Sequence, residues 1–190
     1  QRQMCIRDRV NRATFPGLTS NHHLHRVAGL AIALLEMEKY GEAYARQMVK
    51  NAKALAEALH KHGFKVLGEK RGFTESHQVV LDVSALGGGE MVAKKLEKAN
   101  IICNKNLIPG EEVDVARRNP KGIRLGTPEV TMLGMGPSEM EQIAEFIRMV
   151  LLDERDPSQV AVEVSEFMSN YRKLKYCLIE GEAYKYFKLF

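Results

Sequence analysis

The hydrophobic period of this chain changes at Gly63, and that change limits what it can fold into. Before it, Tyr44, Met48, Ala52, Leu55 and Leu59 recur at intervals of three and four, one face of an amphipathic helix. After it, the short runs FKVLG (64–68) and HQVVLDV (77–83) read as strands. A long helical opening followed by short strands alternating with helices predicts an α/β layer structure.

The helical part reads as two elements. From His22 to Tyr40 the residues Val27, Ala28, Leu30, Ala31, Ile32, Leu34 and Leu35 are apolar on nearly every side, so burial is expected. Gly41 interrupts, and a second helix runs to about His62, where Gly63 ends it. Upstream, VNRATFPGLTSN (10–21) is a loop broken by Pro16-Gly17 and closed by the capping residues Ser20 and Asn21. QRQMCIRDR (1–9) has neither helical nor strand period and is read as extraneous, a cloning or assembly remnant.

Past the strands, GGGEMVAKKLEKAN (87–100) is a glycine-led helix with Val92, Leu96 and Ala99 inward. IICN (101–104) and GIRLG (122–126) are two more short strands. Ser138 with Glu141 forms a capping box for a helix to about Leu152. Asp156-Pro157 with Gln159 repeats the signature for a last helix through Tyr171.

Composition excludes several classes. With 45% hydrophobic and 27% charged residues in a chain of 190, this is ordinary globular composition. The apolar run from Val27 to Leu35, with Gly29 inside it, is too short to cross a bilayer, so no membrane role is expected. Nothing near the start pairs a charged patch with an apolar stretch and a cleavage site. Cys5, Cys103 and Cys177 are scattered and odd in number, which favours reduced thiols and a cytoplasmic setting. A net charge of +4 is mild, and no basic stripe interleaved with aromatic residues points to nucleic acid.

Three stretches carry chemistry. In GIRLGTPEVT (122–131), Arg124 sits between Ile123 and Leu125, just before a helix start marked by Thr127-Pro128. A planar, always-charged fork there can pair bidentately with a carboxylate, or can pair with a structural Asp or Glu at the edge of the core. TSNHHLH (19–25) is a polar turn whose free backbone N–H groups can hold a phosphate, or can simply cap a helix. Its histidines His22, His23 and His25 lack the i, i+4 pair with a nearby acid, so no metal site is expected. NKN (104–106) precedes the irregular loop LIPGEEVDVARRNPK (107–121); its asparagines can contact a ligand or form a turn.

In order along the chain, TFPGLTSNHHLHRVAGLAIAL, CNKNLIP, GIRLGTPEVT and LGM (133–135) resemble the C-terminal part of serine hydroxymethyltransferase, a pyridoxal-phosphate enzyme of fold type I. The resemblance runs from about Asn11 to the end and is nearest to archaeal-type sequences in GFTESHQVV and the tail EGEAY. It implies an α/β chain in which long helices close the large cofactor domain (10–40). A small domain (41–190) with a short, largely antiparallel sheet covered by helices follows.

The resemblance also implies roles. Arg124 matches the arginine of the family's G-I-R-[VL]-G-T motif, which holds the substrate α-carboxylate, the flanking glycines allowing close approach. Ser20 and Asn21 match the turn whose backbone reaches the cofactor phosphate of the neighbouring subunit, though bacterial relatives have two glycines there. Asn106 matches a residue that contacts the pterin carrier. The loop GEEVDVARRNP departs from bacterial sequences and leaves the carrier open between tetrahydrofolate and a methanopterin-type pterin. The Schiff-base lysine, the ring-stacking histidine, the aspartate on the pyridinium nitrogen and the glutamate acid/base lie upstream of Asn11 in relatives, so no catalytic residue is expected in this chain. The expected whole is a homodimer interconverting serine and glycine, with this chain inactive alone. An aminotransferase-like fold-type-I fragment and a non-catalytic α/β binding module remain as alternatives.

Overall fold

Gly63 separates a long helix from a sheet in the computed structural model, which describes residues 2–112, 118–179 and 181–183. The chain divides into two units, Gln1–Lys39 and Tyr40–Phe190.

In the first unit, helix α1 (Arg2–Arg12) covers the stretch expected to lack regular structure and the first residues of the expected loop. Its side chains from Gln3 to Arg12 are exposed, so no buried stripe exists to create a period. Arginine, glutamine and methionine favour the helix by intrinsic propensity alone. The chain then bends through Ala13–Leu18, with a cis Phe15–Pro16 bond. Helix α2 (Leu24–Lys61) starts later than Ser20 and Asn21 suggested: the His23 carbonyl accepts from the Arg26 and Val27 N–H groups at 3.0 and 3.2 Å. Asn21 Oδ1 instead accepts from the His22 N–H at 2.9 Å.

Two expectations for α2 are corrected. It passes through Gly41 without a break, since an interior glycine costs only about 1 kcal/mol against alanine and its neighbours are strong helix formers. Its apolar N-terminal stretch is not buried: Val27, Leu30, Ile32, Leu34 and Leu35 are each at least half exposed. Among the described residues no helix is long and apolar enough to cross a membrane.

The second unit is an α/β layer. From Asn51 to Leu59, α2 buries one face and ends as read, with Gly63 at φ +92° and the Phe64 N–H donating to the Leu59 carbonyl at 3.1 Å. Four strands follow: β1 (Lys65–Val66), β2 (Gln78–Asp82), β3 (Asn104–Asn106) and β4 (Gly122–Gly126), in the order β1-β2-β4-β3 and antiparallel throughout. The third strand is NKN rather than IICN. Asn104 and Asn106 pair with Arg124 and Gly122, whereas Ile102 is 77% exposed; an edge strand need not be apolar because one side of it meets solvent.

Helix α3 (Gly89–Glu97) covers β3 and β4. Past the short α4 (Pro128–Met132), α5 (Pro137–Leu151) packs on α3 and α6 (Pro157–Met168) packs on α5. Helix α5 begins one residue before the expected capping residue: Pro137 takes the first helical position and Glu139 Oε2 accepts from the Gly136 N–H at 2.7 Å. Asp156 caps α6 as expected, accepting from the Ser158 N–H at 3.0 Å. That helix ends at Met168, short of Tyr171. In the tail EGEAY, Glu180 and Tyr184 lie outside the described residues.

Strand alternation separates the two faces of the sheet. Val66, Val79, Leu81, Ile123 and Leu125 are buried among the helices. The register puts Lys65, Gln78, Val80, Asp82, Asn104, Asn106 and Arg124 on the other face, because directly paired residues share a side.

Candidate functional site

Arg124 sits mid-strand in β4, between Val80 of β2 and Asn104 of β3. Its neighbours Ile123 and Leu125 point into the core at 0% and 7% exposure, so pleating sends the half-buried arginine to the polar face. Nε donates to Asn104 Oδ1 at 3.3 Å. Among the described residues no carboxylate lies within 4.0 Å of the guanidinium, and Nη1 and Nη2 meet no acceptor. The structural-ion-pair alternative therefore has no partner there. The carboxylate of this face, Asp82, is taken by Lys65: Nζ–Oδ2 is 2.6 Å, and Oδ1 accepts from the Ser84 N–H at 3.0 Å. Burial raises the Asp82 pKa, but hydrogen bonds from Lys65 and Ser84 with the lysine charge outweigh it and hold the carboxyl at about 2.

Asn106 closes β3 opposite Gly122, on the same face as Arg124. Its Nδ2 donates to the Leu107 carbonyl at 2.6 Å, and among the described residues its Oδ1 has no partner. Gly122 is needed for packing: a Cβ there would stand 2.5 Å from Ile108 Cγ2 and 2.8 Å from the Asn106 carbonyl oxygen. So the close approach that glycine permits is, at this position, to the protein's own loop. Lys105 points to the opposite side, its Nζ 2.5 Å from Glu90 Oε2 and 3.1 Å from the Arg118 carbonyl. Hydrogen bonds from Lys105 and then Lys94 pull the Glu90 pKa down to about 2. Within the loop GEEVDVARRNP, residues 113–117 lie outside the described residues.

The turn after β4 is anchored from α2, which the sequence did not reveal. Thr127 is fully buried, but its side chain makes no cap: Oγ1 donates to the Met48 carbonyl at 2.9 Å, and its N–H donates to the His77 carbonyl at 3.1 Å. Thr131 Oγ1 donates to the Thr127 carbonyl at 2.6 Å. Asn51, also fully buried, spends both Nδ2 protons on Thr131 Oγ1 and the Met135 carbonyl, each at 2.9 Å, while Oδ1 accepts from Gln47 at 2.8 Å. Every polar atom of the Asn51 side chain is satisfied, the condition under which a buried amide rigidifies rather than weakens a core. The signal was a polar residue three after Met48 and four before Leu55, inside an apolar stripe.

Ser20 and Asn21 belong to the first unit, on the segment between the Ala13–Leu18 bend and α2. Both are exposed. Among the described residues Ser20 makes no hydrogen bond, and the Asn21 N–H has no acceptor. Burial pushes the Cys103 thiol up to about 11, which keeps it protonated near neutrality.

Known proteins resemble this chain in sequence and in fold. The family model for serine hydroxymethyltransferase matches residues 2–147. The serine hydroxymethyltransferase of Korarchaeum cryptofilum is 56% identical over 94% of this chain and 42% of its own length. That of Methanopyrus kandleri is 56% identical over 92% of the chain and 40% of its own length. Among solved structures, L-threonine transaldolase from Pseudomonas fluorescens superposes with a TM-score of 0.76 at 34% identity, covering 86% of this chain and 36% of that one. The chain thus spans about two fifths of the length of these relatives.

Proposed function

The chain belongs to the serine hydroxymethyltransferase family, and from that premise we propose that it is the C-terminal part of a glycine/serine hydroxymethyltransferase. The observation that carries the reading is Arg124, whose terminal nitrogens meet no acceptor among the described residues on the polar face of the sheet. A buried or half-buried guanidinium without an anion is costly, and two parallel N–H donors fit the two oxygens of an amino-acid carboxylate. Arg124 binds and orients the α-carboxylate of serine or glycine. Asn106, on the same face two pairing positions along β3, contacts the pterin carrier, tetrahydrofolate or a methanopterin-type pterin.

The cofactor of the reading is pyridoxal phosphate, which supplies an electron sink for the carbanion when bound. The donors at Ser20 and Asn21 fit its phosphate: two backbone N–H groups and a hydroxyl without partners among the described residues suit an oxyanion. They serve the cofactor of the neighbouring subunit in a cytoplasmic homodimer. The residues that carry the covalent and acid/base chemistry lie on the upstream part of the whole enzyme, so this chain contributes substrate and partner-subunit contacts only.

The test is Arg124→Ala in the full-length enzyme. Removing one partner of a charge-assisted pair in a closed site costs about 2–5 kcal/mol. Serine titration followed by the cofactor's absorbance should show serine binding lost with the cofactor retained. An unchanged serine affinity would assign Arg124 a purely structural role.

A further inference from the structure

We propose that Asn104 is a positioning residue for Arg124, and that its neutrality is what keeps the guanidinium available to a carboxylate ligand. The inference rests on the reading of Arg124 as the carboxylate-binding group. Asn104 and Arg124 are directly paired across β3 and β4, so their side chains leave the same face. Asn104 makes two bonds with opposite polarity. Oδ1 accepts from Arg124 Nε at 3.3 Å, and Nδ2 donates to the Lys105 carbonyl at 3.1 Å. The second bond orients the amide, because only its NH₂ can serve a carbonyl, and this leaves the oxygen for the arginine.

The consequence is geometric. With Nε engaged from the edge strand, the guanidinium presents the Nη1–Nη2 edge, which can hold two carboxylate oxygens in parallel. An aspartate at 104 would have nearly the same shape but a full charge. It would pair with the guanidinium itself, and an incoming carboxylate would have to displace it. The face already separates its charges in this way, since Asp82 is committed to Lys65 and Ser84 rather than to Arg124.

The test compares glycine with glycinamide, which differ in the carboxylate alone, as ligands of the full-length enzyme. Asn104 is exposed, so neither Asn104→Asp nor Asn104→Ala strands a buried polar group. Asn104→Asp should weaken glycine binding about tenfold, since a charge-assisted pair is roughly twice as strong as a neutral one. Glycinamide binding should stay within about twofold of the wild type, because it brings no anion to compete for the arginine. Asn104→Ala should weaken glycine about threefold, the loss of one modest hydrogen bond. Arg124→Ala should erase the preference for glycine over glycinamide. If Arg124→Ala erases it while both Asn104 variants keep the wild-type preference, the positioning role is overturned. If Arg124→Ala itself keeps the preference, the assignment of Arg124 fails instead.

Discussion

Replacing Gly122 by alanine would set a methyl carbon 2.5 Å from Ile108 Cγ2 and 2.8 Å from the Asn106 carbonyl oxygen. One of these contacts is backbone of the edge strand, so β3 must shift and not merely repack. Gly122→Ala should therefore destabilise the chain by about 1–3 kcal/mol, read as a lower urea midpoint with unchanged slope. Asn51→Ala removes both donors from the Thr131 and Met135 oxygens and leaves Gln47 without its acceptor. Orphaning the buried Met135 carbonyl is the main cost, and about 2–3 kcal/mol is expected by the same measurement. Asp82 adds a pH dependence. Its folded pKa, about 2, lies below the ordinary 3.8, so its stabilisation is complete above about pH 4. That contribution is lost as pH falls from there through about 2. Lys65→Met should flatten this part of an acid-unfolding curve, and an identical curve would mean that the pair contributes nothing.

The helices are held at their ends by a few polar groups whose loss should be local. Glu139 accepts from the Gly136 N–H at the start of α5 and from the Tyr171 hydroxyl beyond α6, at 2.7 and 3.1 Å. It thus caps one helix and ties the segment after the next. The Gly136 bond lowers its pKa, with burial opposing and the Tyr171 and Ser138 bonds adding to the lowering. A depressed carboxylate of this kind stabilises above its unfolded pKa and loses the effect as pH drops. Glu139→Ala should cost about 1–2 kcal/mol at neutral pH. The difference from wild type should shrink in acid, measured as thermal midpoints at pH 7 and below pH 4; a pH-independent difference would exclude the charge as its source.

At the scale of the molecule, the exposed apolar stretch of α2 in the first unit sets the behaviour of the isolated chain. Val27, Leu30, Ile32, Leu34 and Leu35 are each at least half exposed, and large apolar side chains clustered along one exposed stretch favour association. The isolated chain should therefore associate with rising concentration in sedimentation, and Leu30→Glu with Leu34→Glu should suppress it. In the full-length enzyme, a subunit disrupted at Ser20 and Asn21 mixed with one lacking the cofactor lysine should regain activity through hybrid dimers. No recovery after confirmed subunit exchange would remove the turn from the neighbour's site. The chain alone, treated with pyridoxal phosphate and borohydride, should show no stoichiometric label on any lysine and no serine cleavage.

The α/β class, the amphipathic stripe of α2, strand β4 and the Asp156 cap were legible because each leaves a local trace: a period, or a capping residue beside its helix. The family was legible for a similar reason, as ordered motifs. What failed depended on surroundings. Gly41 reads as a breaker, yet helix continuity is decided by the sum over its neighbours. The stretch 22–40 reads as buried, but burial belongs to whatever packs on it, and sequence periodicity cannot say which chain that is. NKN reads as a turn because its residues are polar; it is a strand because β4 supplies its hydrogen bonds from 16 or more residues away. The same distance hid Asn51, whose partners Thr131 and Met135 lie 80 and 84 positions along the chain. Local propensity and period thus determined the α/β class, the stripe of α2 and strand β4. Only the tertiary structure decided that, among the described residues, Arg124 meets an amide and no carboxylate, because that is a property of strand register between distant segments.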